Sequence, residues 1–258
     1  MKITQTRKTR NFKMFSIFKK NKIKLKEIIP EGFIDIHSHV LYGLDDGAKT
    51  LEETKDLLNS LKSFGFEQFI ATPHTTPLVW ENTKEGILEQ YEKVLLETKS
   101  IPKNLRVASE YLMDESFLKR LEHERLLTLK DDYVLVEMSY INPPIQLYEI
   151  IMQLASQGYI PVLAHPERYN FYKNDFGSFK QLKKAGCLFQ MNLLSVTGYY
   201  GSGITEVADY LLKQNMYDFV GSDVHHQKHI QAFSDAVQIK SVAELEKIMH
   251  KNELFRVE

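Results

Sequence analysis

Residues 33–47 read FIDIHSHVLYGLDDG. The stretch opens as a buried strand should, with Phe33, Ile34 and Ile36. It then sets His37 and His39 two residues apart and brings Asp45 and Asp46 a short turn later. Side chains two apart on a strand share a face, so both imidazoles can grip one ion. Asp46, in the loop that follows, can fold back over them, whereas Asp45 reads more simply as part of a solvated turn or a cap.

The same grammar recurs along the chain. Apolar runs of strand length occur at 33–39, 67–74, 105–111, 133–138, 159–165, 187–192 and 217–223. Amphipathic segments such as 50–63, 83–99, 145–157, 175–185 and 203–214 lie between them. Repeated strand–helix alternation predicts a parallel sheet in an α/β fold. Seven such units without a second domain predict a single-domain, TIM-like (β/α)7 barrel, with an open doubly wound sheet as the runner-up. No GxGxxG follows the first strand, which removes the usual dinucleotide-binding version of that open sheet.

Nearly every run ends in a residue that can bind a metal. After His37 and His39 come His74, Glu110, Glu137, His165 and Asp223, with His225 two residues further on. Strand C-termini form the active-site face of a barrel, so these side chains are expected to converge on one mouth. With Asp46 the set holds five histidines and four carboxylates. Nitrogen and oxygen donors of this kind suit Mn²⁺, Fe²⁺ or Zn²⁺. The set is too large for one ion and fits two or three, and metals about 3.5–4 Å apart are the usual clamp for phosphate ester hydrolysis. His123, His229 and His250 read as surface residues, and His226 as either exposed or supporting.

Composition narrows the class. The chain has 258 residues, 43% of them hydrophobic, enough for one large core. It has no apolar run of membrane-spanning length and no signal-peptide pattern. The single cysteine, Cys187, fits a reducing compartment and hence a cytoplasmic location. Cys187 is followed six positions on by Leu193 rather than the arginine of a cysteine-phosphatase loop, so it reads as core and not as a nucleophile. Residues 1–26 hold ten of the 33 Lys and Arg and no acid, leaving 23 basic against 34 acidic residues, a net of −11, in the remainder. An acidic body argues against nucleic acid as a partner. Residues 1–31 read as a flexible basic arm before a domain over 32–258, and the arm could touch the inner face of a membrane.

HSH, DDG, TPH, the isolated Glu110 and Glu137, AHPERY and GSDVHH together resemble the polymerase and histidinol phosphatase (PHP) superfamily. Within it the likeness is to the bacterial tyrosine-protein phosphatases of capsular and exopolysaccharide systems, over roughly residues 32–250 and with the motifs in family order. The resemblance implies a distorted seven-stranded (β/α) barrel with a trinuclear metal site, Mn²⁺ being the leading ion. Matched motif by motif, His37, His39, Asp46, His74, Glu110, Glu137, His165, Asp223 and His225 fall on the family's ligands, and Arg168 on its phosphate-binding arginine. The implied activity is hydrolysis of phosphotyrosine on a partner tyrosine kinase that regulates polysaccharide synthesis and export. The alternative is a small-molecule phosphomonoesterase such as histidinol phosphatase. Where some members carry basic residues after the TPH histidine, this chain has Thr75 and Thr76.

Overall fold

The computed structural model describes residues 22–97 and 104–258. β1 (Phe33–Ser38) leads through α1 (Leu51–Lys62) to β2 (Phe66–Ala71) and the short β3 (His74–Thr75). After α2 (Lys84–Glu97) come β4 (Leu105–Val107), β5 (Glu110–Leu112), α3 (Glu115–His123) and β6 (Tyr133–Glu137). Then follow α4 (Leu147–Ser156), β7 (Ile160–Ala164), α5 (Phe176–Lys184), β8 (Leu188–Asn192), α6 (Ser202–Lys213) and β9 (Phe219–Gly221). The chain closes on α7 (Gln227–Ala232) and α8 (Val242–Lys251).

Local chemistry explains these elements. In α1 the Thr50 hydroxyl accepts from the Glu53 N–H, Glu52 and Glu53 occupy the positive first turn, and Thr54, Leu57, Leu58 and Leu61 form the buried face. Gly65, at φ 101°, then turns the chain into β2. Strands such as β6, with Val134, Leu135 and Val136 all buried, are the continuous apolar runs expected of a parallel sheet covered on both faces.

The strands form two sheets, β1-β2-β4 and β3-β5-β6-β7-β8-β9, and all pairings between them are parallel. The expected strands over 67–74 and 105–111 each divide, into β2 and β3 and into β4 and β5. Pro73 has no N–H for a ladder, so the chain changes sheets there. Its carbonyl accepts from Glu110 N–H (3.1 Å) and from the Ser109 hydroxyl (2.9 Å), which keeps the two steps side by side. At the far edge Ser38 bridges Val224 in parallel, and Asp223 N–H donates to His37 O at 2.7 Å. A small core cluster joins Ile34, Ile36 and Ile70 of one sheet to Leu135, Val162 and Phe219 of the other. A larger one packs the helices on the strands, Leu57, Leu154 and Leu211 among them.

Residues 1–31 are expected to be a flexible arm. Of residues 1–31, those from 22 on are described, and they are docked rather than free. Lys24 bridges Ala236, the N–H groups of Leu25 and Lys26 donate to Asp235 O and Phe233 O, and Leu25 is fully buried. An apolar residue that gains a core and two backbone bonds offsets the entropy of ordering the segment. Residues 1–21, which carry most of the arm's charge, lie outside the described residues. Among the described residues no helix is long and apolar enough to cross a membrane.

Candidate metal centre and its mouth

The sheet topology brings all nine sequence-derived candidates to one end of the strands. Their donor atoms fall into four overlapping groups, each within 4.8 Å: His39, Asp46, His74 and His225; His37, Glu110 and His165; His37, His39 and Asp223; and His74, Glu110 and Glu137. Glu110 is the hub. One of its oxygens lies 3.1 Å from His37 Nε2, 3.4 Å from His39 Nε2 and 3.1 Å from His74 Nδ1, and the other 3.1 Å from His165 Nε2. Asp223 Oδ1 sits 3.3 Å from both His37 Nε2 and His39 Nε2. Asp46 is exposed and caps the mouth, its Oδ1 3.4 Å from His225 Nε2 and 3.7 Å from His74 Nε2.

Supporting partners orient the rings. His37 Nδ1 donates to Gln190 Oε1 at 2.7 Å, and His39 Nδ1 to Asp45 Oδ2 at 2.6 Å, leaving each Nε2 lone pair aimed at the centre. His225 Nδ1 donates to Asp223 O at 2.9 Å, which likewise turns its Nε2 inward. His165 (φ 35°) and Asp223 (φ 50°) both sit in the left-handed region, a strain that is common at functional sites. Gly47 is required beside them, because a Cβ there would lie 2.1 Å from His39 O.

The donor set fits a divalent cation. Two buried nitrogens, His74 Nδ1 and His165 Nδ1, have no hydrogen-bond partner, although His74 Nδ1 lies 3.1 Å from oxygens of both Glu110 and Glu137. Carboxylates gathered in a buried pocket demand positive charge. Burial disfavours the ionised forms, but His37 and His74 still hold Glu110 well below the usual carboxylate range, and His37 and His39 do the same for Asp223. In return, against the same burial, Asp45 holds His39 well above the usual histidine value and Glu110 raises His74 to about 9. Glu137 is raised by burial and by its neighbour Glu110. A cation taking these nitrogens would displace their protons and meet the same demand.

Arg168 lies on the short helical turn 166–168 that follows β7. Its Nη1 donates to Asp223 Oδ2 at 2.6 Å, and its guanidinium sits 4.2 Å from the Tyr200 ring centre and 5.0 Å from that of Tyr140. Stacking and pairing fix the fork at the edge of the cluster. Asn192 Nδ2 donates to the same Asp223 oxygen at 2.7 Å. The buried Glu167 accepts from Asn192 N–H and from the hydroxyls of Ser195 and Tyr217, tying the turn to the end of β8. Cys187 stands just before β8, at the opposite end from Asn192, and burial pushes its thiol up to about 12, which agrees with a core role.

Two sequence readings are corrected. Asp45, read as a turn residue, is buried and is the direct partner of His39. His229, read as surface, is buried: its Nδ1 accepts from His225 N–H at 3.2 Å, its ring meets Tyr199 edge-on, and burial lowers its pKa to about 3. His123, His226 and His250 are exposed.

Two clefts open from the mouth. One, of about 350 Å³, runs from His74 and Glu137 between Trp80 and Ile141. The other, of about 400 Å³, runs from Asp46 and His225 past Lys49 and Lys228. Thr75 is buried against Ser109, so neither it nor Thr76 presents a cation to the first cleft.

Comparison with known proteins agrees with this geometry. The tyrosine-protein phosphatase CpsB of Streptococcus pneumoniae is 30% identical over 201 residues, 75% of this chain and 83% of that one. The tyrosine-protein phosphatase YwqE of Bacillus subtilis is 30% identical over 199 residues, 76% of this chain and 78% of that one. A crystal structure from the work on these two proteins, described as unique metal-dependent tyrosine phosphatases, superposes with a TM-score of 0.72 at 28% identity, covering 83% of this chain and 86% of that chain. The family model for capsular polysaccharide synthesis, CpsB/CapC, matches residues 33–252. The chain belongs to the CpsB/CapC family.

Proposed function

We propose that this chain is a metal-dependent protein-tyrosine phosphatase acting on a partner tyrosine kinase of capsular or exopolysaccharide synthesis. In this reading the seven strand runs close into a distorted barrel, in keeping with the Ser38–Val224 bridge and the core cluster shared by the two sheets. His37, His39, Asp46, His74, Glu110, Glu137, His165, Asp223 and His225 hold two or three divalent ions, Mn²⁺ foremost. The observation that carries the reading is Glu110, one buried carboxylate within 3.4 Å of four imidazoles.

Held by these residues, divalent ions would supply positive charge for the phosphoryl oxygens and would lower the pKa of water at the site. Gln190 and Asp45 hold His37 and His39 in the tautomers that leave Nε2 free. Arg168 adds a two-pronged contact to the non-bridging oxygens, and its anchoring on Asp223 and two tyrosines means little ordering remains to be done when substrate arrives. The leaving phenolate has a pKa near about 10, so it departs with little protonation and aryl phosphates are favoured over alkyl ones. Cys187 takes no part. The mouth, open into two clefts, suits a peptide better than a small metabolite held on all sides. In a cell the enzyme would work in the cytoplasm, and the basic residues ahead of Lys22 would draw it to anionic lipid beside the kinase.

The test is phosphate release, with Mn²⁺, from a phosphotyrosine peptide, a phosphoserine peptide and histidinol phosphate. Release confined to phosphotyrosine is expected. Preference for histidinol phosphate would move the protein to the small-molecule branch.

A further inference from the structure

One side of the mouth carries apolar surface that the fold does not use. From Thr76 to Trp80 the chain doubles back, with Thr76 N–H donating to Trp80 O at 2.9 Å and Trp80 N–H to Thr76 O at 2.8 Å. Leu78 at its tip has φ 65°, a conformation L residues other than glycine rarely adopt, and is 92% exposed. Val79 beside it is 64% exposed. Across the cleft the segment after β6 exposes Ile141 at 85% and, further along, Ile145 at 98%. Single exposed apolar residues are ordinary, but a cluster on two segments that wall one cleft marks an interaction surface. All four side chains are mostly exposed, and one sits in a strained backbone.

The inner wall of this cleft is His74 and Glu137, both members of the donor cluster. A phosphate held at the cluster therefore leaves its neighbouring groups beside the cleft. Among the described residues no Lys or Arg lines it, and Lys49, 5.6 Å from the Trp80 ring centre, donates to Asp45 O and lines the other cleft. An acidic neighbour would lose water without finding a free partner, whereas an apolar one would bury surface on Trp80, Val79 and Ile141. The second cleft differs, with Lys49 and Lys228 on its walls.

We propose that the cleft between residues 76–80 and 138–141 docks an apolar side chain of the substrate next to its phosphotyrosine. The enzyme thereby selects phosphotyrosines with apolar rather than acidic neighbours on that side. The proposal rests on the phosphatase reading above.

The test uses matched phosphotyrosine peptides with leucine or aspartate immediately before or after the phosphotyrosine, and p-nitrophenyl phosphate as a substrate without neighbours. On one side, leucine is expected to raise kcat/KM about tenfold over aspartate, the scale of partly burying one such side chain. The double variant Val79→Asp, Ile141→Asp, at two exposed positions outside the donor cluster, is expected to abolish that preference and keep p-nitrophenyl phosphate turnover. Equal kcat/KM for the leucine and aspartate peptides, with p-nitrophenyl phosphate still hydrolysed, overturns the docking surface and leaves the phosphatase reading intact. A dimer that dissociates in the double variant, with the peptide preference unchanged, assigns the face to a second copy of the chain. Absence of metal-dependent turnover on every substrate overturns both readings.

Discussion

Glu110→Gln is expected to lose about a thousandfold or more in kcat on a phosphotyrosine peptide, roughly 4 kcal/mol of transition-state stabilisation. The substitution keeps the shape of the side chain and removes its charge. In the wild type one oxygen of Glu110 is shared by His37, His39 and His74 and the other meets His165, so the variant puts an amide nitrogen against at least one imidazole that must keep its lone pair for an ion. The metal-free fold is expected to weaken. Glu110 is fully buried, is held well below the usual carboxylate range by His37 and His74 and raises His74 in turn, so the amide leaves those imidazoles without their charge partner. Thermal unfolding separates the two effects. Adding Mn²⁺ should raise the wild-type Tm through linkage, and it should do so weakly or not at all in Glu110→Gln, whose Tm in chelator already lies below that of the wild type. A variant that still gains the full Mn²⁺ shift would mean Glu110 holds no ion.

Arg168→Lys carries the second large effect. It is expected to lower kcat/KM about a hundredfold, near 2.7 kcal/mol, while Mn²⁺ binding changes little. Lysine preserves the charge beside Asp223 but cannot present two N–H groups in a plane or stack between Tyr140 and Tyr200. Alanine would be a poorer probe, because it would also release Asp223 from the cluster. Kinetics on p-nitrophenyl phosphate, paired with metal titration, read out both quantities. A loss of metal that matches the loss of rate would make Arg168 a holder of Asp223 and not a phosphate ligand.

The parts of this site that could be read from sequence are those the strand period makes visible. An apolar run that ends in His, Glu or Asp carries its own signal, and the parallel sheet brings the run ends together. The partners of those residues carry weaker signals. The run over 187–192 ends without a ligand, yet Gln190 and Asn192 stand two apart in it and share a face, one holding His37 and the other Asp223. Polar residues at that spacing in an otherwise buried strand were the available clue. Asp45 had none, since only the fold of the loop distinguishes a buried acid from the exposed one beside it. His229 was hidden because α7 is too short to display a periodic face. The breaks at Pro73 and after Val107 escaped for a related reason: a run read as one strand gives no sign of which sheet its second half joins.

The most direct measurement is phosphate release from a phosphotyrosine peptide by the full chain. It would be followed before and after dialysis against a chelator and again once Mn²⁺ is restored, with Cys187→Ser run in parallel. Release that vanishes with the chelator, returns with Mn²⁺ and is unchanged by Cys187→Ser is expected from a cluster built on Glu110. Release that survives chelation, or that falls with Cys187, would contradict a metal-centred phosphatase.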